Sequence, residues 1–158
     1  MPDRVDARLA ELGIVLPEPT FPHDPLDAVV VHGDLAFTSG QLPRLDGKLT
    51  CLGVLGAGVS VEGGHEAARV CALNALAVLR DALGSLDRVV RVVRVTGFVA
   101  SAPGFDAQPA VVDGASRVLR DVFGDAGRHT RSAIGVAALP RGAAVEIELT
   151  VAIRSASL

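Results

Sequence analysis

The 158-residue sequence predicts an α+β fold, a two-layer sandwich in which two helices pack on one face of a β-sheet. Residues 145–153 alternate strictly between apolar and polar side chains, which is the period of a strand with one buried face. Residues 61–83 and 106–123 instead repeat their apolar side chains at helical spacing. Two strand-like runs, residues 28–32 and 35–39, flank a Gly-Asp pair, as in a tight hairpin.

The chain begins with a predicted short helix over residues 3–12, in which apolar side chains recur at helical spacing before Gly13. Prolines follow at positions 17, 19, 22 and 25. Because proline fixes φ and favours extended geometry in the residue before it, they predict a connector that runs along the surface. We therefore expect an N-terminal segment, residues 1–24, and a main domain, residues 25–158.

The predicted hairpin is followed by a loop rich in turn-forming residues. Between Gln41 and Ser60 the sequence contains one proline and several glycines, which leaves room for at most one short edge strand. Binding and catalytic residues often lie on loops that a rigid scaffold holds in place. This loop is therefore a candidate region for function.

The first long helix has clear signals at both ends. Ser60 can cap a helix over residues 61–83, which Gly84 would end. One face of this helix is apolar, but Leu73 and Leu76 lie outside that face. We therefore expect the helix to be covered on more than one side, most simply by a neighbouring subunit.

The second long helix is predicted to begin at Asp106, whose side chain can cap it, and to end at Phe123. Predicted strands over residues 89–100 and 131–139 flank this helix. A short turn leads from the later strand into residues 145–153, so the last two strands are expected to pair. The element order is ββαβαββ, and oligomer contacts would cover the free face of the sheet.

Composition and charge restrict the possible partners. The chain is 49% hydrophobic and 21% charged, which is typical of a compact domain and excludes a disordered chain. Its formal net charge of -3 offers no positive field for a phosphate backbone, so we expect no nucleic-acid partner. No apolar run is long enough to cross a bilayer and no leader pattern is found, so we expect no membrane association and a cytoplasmic protein.

The residue types that usually hold metals or act as nucleophiles show no diagnostic spacing. Cys51 and Cys71 form no CxxC pair, and the four histidines form no HExxH motif, so no metal and no other cofactor is expected. The sequence also lacks a GxSxG motif. Ser39 is therefore interpreted as the end of a strand rather than as a nucleophile.

Arg131 and Glu146 are the residues of greatest chemical interest. A guanidinium can bind a planar carboxylate in bidentate fashion, and a nearby carboxylate can position a water or carry a proton. Because the strands that carry them are expected to pair, an ordinary cross-strand ion pair is the simpler interpretation from the residues alone.

The order of several short motifs resembles the YjgF/RidA family. These motifs are Thr38-Ser39-Gly40-Gln41, Arg131-Ser132-Ala133, Leu139-Pro140 and Val145-Glu146-Ile147-Glu148. None is specific alone, but together they match in order and spacing over residues 25–154. The resemblance implies a chorismate-mutase-like fold and a homotrimer with clefts between its subunits. It also implies hydrolysis of reactive enamine or imine acids such as 2-aminoacrylate to 2-keto acids and ammonia, without a cofactor.

The resemblance also implies roles for particular residues. Arg131 would bind the substrate carboxylate and Glu146 would hold the attacking water. The backbone at Ala133 and the segment at Ser39 and Gly40 would line the pocket.

The chain departs from the family pattern at two pocket positions. Leu26 stands where the family has a tyrosine, and Ala133 stands where a cysteine is frequent. Residues Phe105, Gln108 and His129 are candidates to fill the cleft instead, as in a longer branch of the family. Two alternatives stay open: a non-catalytic trimer that binds small carboxylates and, against the acidic charge balance, a protein that cleaves RNA or inhibits translation.

Overall fold

The computed structural model describes residues 3–155 and confirms the predicted α+β class. Its helices are α1 (Arg4–Glu11), α2 (Val61–Leu83) and α3 (Gln108–Phe123). Its strands are β1 (Val29–His32), β2 (Leu35–Thr38), β3 (Arg44–Leu45), β4 (Lys48–Leu49), β5 (Val54–Leu55), β6 (Gly58–Val59), β7 (Val89–Ala100), β8 (Thr130–Val136) and β9 (Val145–Ile153). Where at most one short strand was expected after Gln41, four two-residue strands form.

The main sheet has five strands in the order β1-β2-β9-β7-β8. All neighbours in it are antiparallel except β7 and β8, which are parallel. The prediction that the last two strands pair is therefore wrong, because β7 lies between β8 and β9. Since α3 connects β7 to β8, these two strands form a β-α-β unit, and such a crossover produces parallel neighbours.

The long helix α2 begins and ends where the sequence predicted. The Ser60 side chain accepts a hydrogen bond from the Gly63 N–H at 3.0 Å, and Gly84 takes a left-handed φ of 79°. Leu73 and Leu76 are buried within this chain. The sheet, α3 and the loop after β2 cover the helix, so the expected neighbouring subunit is not needed to explain its second apolar side.

Helix α3 begins later than predicted. Ala107 rather than Asp106 occupies the cap position, and no side chain caps the helix. Pro109 in the first turn has no N–H, so this end has one fewer donor to satisfy. Gly114 lets α3 approach α2 closely, because a Cβ at this position would overlap the carbonyl oxygen of His65.

The loop after β2 is attached to α2 by a buried side chain. The Asn74 amide donates hydrogen bonds to the carbonyl oxygens of Arg44 at 2.8 Å and of Val70 at 3.0 Å. The first bond reaches the β3–β4 hairpin, and the second stays within the helix. The hairpin is therefore held against the helix layer.

The sheet face opposite the helices is open in the single chain. Val30 on β1, Phe37 on β2 and Ile134 on β8 are 52%, 40% and 43% exposed. Between them the face is polar, with Arg94 donating to the Ser132 hydroxyl at 2.8 Å. Across residues 3–155, no helix is long and apolar enough to cross a membrane.

Candidate functional site

The segment after β2 is tied to the last strand by backbone hydrogen bonds. The Gln41 N–H donates to the Ile147 carbonyl at 2.8 Å, and the Ile147 N–H donates back to Gln41 at 3.0 Å. The Ser39 hydroxyl donates to the carbonyl oxygen of Asp27 at 2.5 Å. The predicted motif therefore ends β2 and lies beside the start of β9.

Glu146 is in contact with this segment. A Cβ at Gly40 would overlap the carboxylate oxygen of Glu146, so only glycine leaves room for that side chain. Partial burial raises the pKa of Glu146 above that of an ordinary glutamate, and the nearby charge of Glu148 raises the pKa further. The carboxyl group is thus positioned by a glycine and is easier to protonate than usual.

A cleft of about 480 Å³ opens beside Gly40. Leu26, Ser39 and Gly40, three of the predicted site residues, all line it. The proline-rich connector forms part of its wall through residues 20–23. The N-terminal segment therefore contributes directly to the candidate site.

Arg131 lies on the edge strand β8, and its side chain faces α3. Its Nη1 donates to Asp113 Oδ1 at 2.8 Å and to the Ser116 hydroxyl at 3.1 Å. Nη2 lies 3.4 Å from the carbonyl oxygen of Pro109. The hypothesis of a cross-strand pair with Glu146 is therefore wrong: the ion-pair partner of Arg131 is on a helix.

His129 belongs to the same group as Arg131. Its Nδ1 lies 2.7 Å from the Gly127 carbonyl oxygen, which requires a proton on Nδ1. Its Nε2 lies 2.9 Å from the Ser116 hydroxyl, which bridges His129 and Arg131. These residues line a second cleft of about 410 Å³, together with Arg120.

Three further predicted site residues, Phe105, Gln108 and Ala133, lie on or near β8 but line neither of these two clefts. Gln108 donates to the carbonyl oxygen of Phe105 at 2.9 Å and lies 3.2 Å from the Ser101 hydroxyl. Phe105 and Ala133 are partly buried and pack against the core. Their observed contacts are with the core and with neighbouring loops.

Arg131 and Glu146 do not meet within one chain. Glu146 pairs with Phe98 of β7, which in turn pairs with Ile134 of β8, so two strand spacings, about 9–10 Å, separate their strands. Arg131 contacts α3 on the helix face, whereas Glu146 alternates with buried residues and lies on the open face. The predicted site is therefore divided into two parts of the molecule.

Sequence reasoning missed several residues that the structure places at these sites. Asp113 and Ser116 stand three apart on α3, a spacing that puts both on one helix face toward Arg131. Arg44 and Arg141 line the cleft beside Gly40. The turn-forming residues around each of these two arginines predict a loop. They do not predict which loops lie next to each other in the fold.

The buried thiol of Cys71 lies on the core side of the start of β9. Burial raises the pKa of Cys71 well above its ordinary value, and the charge of Glu146 raises it further. The Cys71 Sγ donates to the Val145 carbonyl oxygen at 3.6 Å. Among residues 3–155, no three His, Cys, Asp or Glu side chains are grouped as a metal ion would need.

The fold and the cleft define a class of small α+β proteins in which two long helices cover one face of a mixed sheet and a glycine loop contacts a glutamate of the last strand. A family model described as "YjgF/chorismate_mutase-like, putative endoribonuclease" matches residues 6–150. The chain belongs to this family, which confirms the resemblance seen in its motifs.

Three relatives extend over almost the whole chain. Protein TCP17 of Trypanosoma cruzi is 46% identical over 149 residues, which are 94% of this chain and 93% of that protein. A crystal structure of an Agrobacterium tumefaciens protein of unknown function is 41% identical with a TM-score of 0.89, and the match covers 95% of this chain and 92% of that one. A Shewanella oneidensis structure with the same endoribonuclease description is 33% identical with a TM-score of 0.92, covering 96% and 100%. The fold is therefore the chorismate-mutase-like fold of this family.

Proposed function

We propose that the protein is an enamine/imine deaminase of the RidA type, which hydrolyses 2-aminoacrylate-like acids to 2-keto acids and ammonia. The observation that carries the proposal is the partly buried Glu146 carboxyl group, held against Gly40 at the edge of an open cleft. A carboxylate in this position can accept a hydrogen bond from a water and orient its lone pair toward a bound imine carbon.

The reaction needs little machinery beyond orientation. 2-Aminoacrylate first tautomerises to the imine. The water oxygen then forms a bond to the imine carbon as the C=N π bond breaks, and the nitrogen takes a proton from solvent. The resulting carbinolamine loses ammonia as its C–N bond breaks, and its hydroxyl gives up a proton to solvent to become the carbonyl of the 2-keto acid. Glu146 would take a proton from the water in the first step and return one to the leaving nitrogen in the second.

Arg131 is the proposed ligand for the substrate carboxylate. Asp113 and Ser116 accept from Nη1 and the Pro109 carbonyl oxygen accepts from Nη2 at 3.4 Å, so among the described residues Nε and the second hydrogen of Nη2 remain as donors for a substrate carboxylate. Since Arg131 and Glu146 lie apart in one chain, the proposal places them in one cleft between neighbouring subunits of a homotrimer. Asp113 would hold the guanidinium in place before the substrate arrives.

The test generates 2-aminoacrylate in solution and follows its loss with and without the protein. Arg131→Lys keeps the charge but loses the planar fork, so it should be nearly as damaging as Arg131→Ala. Each should weaken binding of 2-oxobutanoate by at least roughly tenfold, since a charge-assisted hydrogen bond contributes about 1.5–3 kcal/mol. Glu146→Gln should retain that binding and slow turnover.

The control is Arg117→Lys, an exposed position on α3 where neither cleft is affected. Unchanged affinity in Arg131→Ala would remove Arg131 from the site. A second candidate, a carboxylate-binding trimer without turnover, is favoured by Leu26 in place of a pocket tyrosine. Ligand binding without faster loss of 2-aminoacrylate would select that alternative.

A further inference from the structure

Two arginines give the cleft beside Gly40 a positive charge that the proposed reaction does not use. Arg44 and Arg141 both line this cleft, and His23 lies there as well. In the described part of the chain, no carboxylate lies within 4.0 Å of either guanidinium as an ion-pair partner. By contrast, Arg131 has Asp113 at 2.8 Å. The cleft therefore has positive charge available for a ligand.

The main chain at each of these arginines has a defined conformation or hydrogen bond. Arg141 has a φ of 59°, a left-handed conformation that few side chains adopt, within the one-turn 3₁₀ helix Pro140–Gly142. Arg44 is held through its main chain, because its carbonyl oxygen accepts the hydrogen bond from Asn74. Both side chains are thus presented by fixed backbone while their charged ends make no ion pair.

Part of the wall of the cleft next to these charges is apolar. Phe21 and Leu26 line it on the side of the proline-rich connector. Glu146 is packed against Gly40, which lines the cleft. A molecule whose reacting carbon is near Glu146 would therefore extend its side chain between apolar walls toward Arg44 and Arg141.

We propose that Arg44 and Arg141 bind a second anionic group, at the side-chain end of the substrate. The substrate class is then a dianionic 2-imino acid, with a carboxylate or a phosphate at its far end, rather than a small monocarboxylate. This inference rests on the proposed function for the position of the reacting carbon. It assigns Arg44 and Arg141 as the residues that determine specificity.

The experiment measures binding of stable product-like acids to the intact protein by calorimetry. The probes are 2-oxobutanoate with one charged group, 2-oxoglutarate with a second carboxylate, and 3-phosphonopyruvate with a phosphonate. In the wild type, at least one dianionic probe should bind about tenfold or more tightly than 2-oxobutanoate, the gain expected for one added charge-assisted contact. If 2-oxoglutarate shows the increase in affinity, the second anionic group is a carboxylate. If 3-phosphonopyruvate shows it, the group is a phosphate.

The variants are Arg44→Gln and Arg141→Asn, since asparagine tolerates the left-handed backbone at position 141. Each should bring the affinity of the dianionic probe close to that of the monoanionic probe. Arg117→Gln removes the same charge from an exposed site and should leave the ratio of the two affinities at its wild-type value. Equal binding of all three probes, no binding of any probe, or a ratio that survives in both variants would overturn the inference.

The binding experiment and the turnover experiment can fail independently of each other. Turnover of 2-aminoacrylate, which has one carboxylate, tests the reaction without the second anionic group. Turnover combined with equal binding of the probes would retain the deaminase and reject the role of Arg44 and Arg141. Tight binding of a dianion that depends on these arginines, without turnover, would retain their role and reject the deaminase.

Discussion

The ionisation of Glu146 links its position to the stability of the chain. Burial is the larger cause of its raised pKa, and Glu148 adds to it, so the folded chain binds the proton of this carboxyl more readily than the unfolded chain does. Between the unfolded and the folded pKa the unfolded chain therefore carries fewer protons, and stability falls as the pH rises through this window.

Glu146→Gln should remove this pH-dependent cost. At neutral pH the variant is expected to have a higher free energy of unfolding than the wild type, because both states of the wild-type residue are then ionised. The difference should shrink below the folded pKa and vanish below the ordinary glutamate value of 4.5. Urea unfolding at a series of pH values measures it.

The matched control is Glu18→Gln, an exposed carboxylate in the connector. Its free energy of unfolding, measured over the same pH values, gives the effect of replacing an exposed carboxylate by an amide. A Glu146→Gln variant that is less stable than the wild type at neutral pH would show that the carboxylate gains more from its surroundings than burial costs.

At the residue scale, sequence reasoning found the important side chains better than it found their partners. Arg131 and Glu146 were selected because of their residue types and their places on predicted strands. Their partners, Asp113 and Gly40, depend on which strands are neighbours and which loops meet. These are long-range properties, and no local signal in the chain encodes them.

At the element scale, local signals fixed the boundaries well. The limits of α2 follow from a serine cap and a terminal glycine, and those of β9 from strict alternation, so both match the structure to the residue. The pairing of β8 was wrong because a short turn between strands suggests a hairpin. The β-α-β crossover through α3 determines its neighbour instead.

The close contact of α2 and α3 gives an element-scale prediction. Gly114→Ala places a methyl group against the His65 carbonyl oxygen, which is backbone and cannot rotate away. The variant should lower the free energy of unfolding by about 1–3 kcal/mol, the usual cost of overpacking, despite the better helix propensity of alanine. The midpoint of urea unfolding measures the change.

Gly63→Ala is the control for helix propensity. Its added Cβ would meet the Ser60 hydroxyl at 3.3 Å, a side chain that can adjust, so the change should stay below about 1 kcal/mol. Equal stability of Gly114→Ala and the wild type would mean that the helices can separate without loss of packing.

At the scale of the whole molecule, the open sheet face gives a prediction about assembly. Val30, Phe37 and Ile134 leave apolar surface exposed on this face. We expect this face to be covered in a homotrimer, with a sedimentation mass near three chains. Phe37→Glu should lower that mass, because a charge would be buried in the interface.

Val15→Glu provides the comparison for this substitution. Val15 is 88% exposed and lies in the N-terminal segment, away from the open face. This variant should keep the mass of the wild type. A wild-type monomer at micromolar concentration would contradict the assembly and the shared cleft together.

Arg131 and Glu146 lie on opposite faces of one sheet, so substitutions of the two residues can be placed in different chains of one oligomer. If each cleft takes Arg131 from one subunit and Glu146 from the next, a Glu146→Gln chain can supply Arg131 and an Arg131→Ala chain can supply Glu146 to the same cleft. Unfolding the two inactive variants in equal amounts and refolding them together should restore about a quarter of the clefts, by random mixing in a closed ring. Such complementation would show that the two residues act across the interface, whereas no recovery would mean that a single chain must supply both.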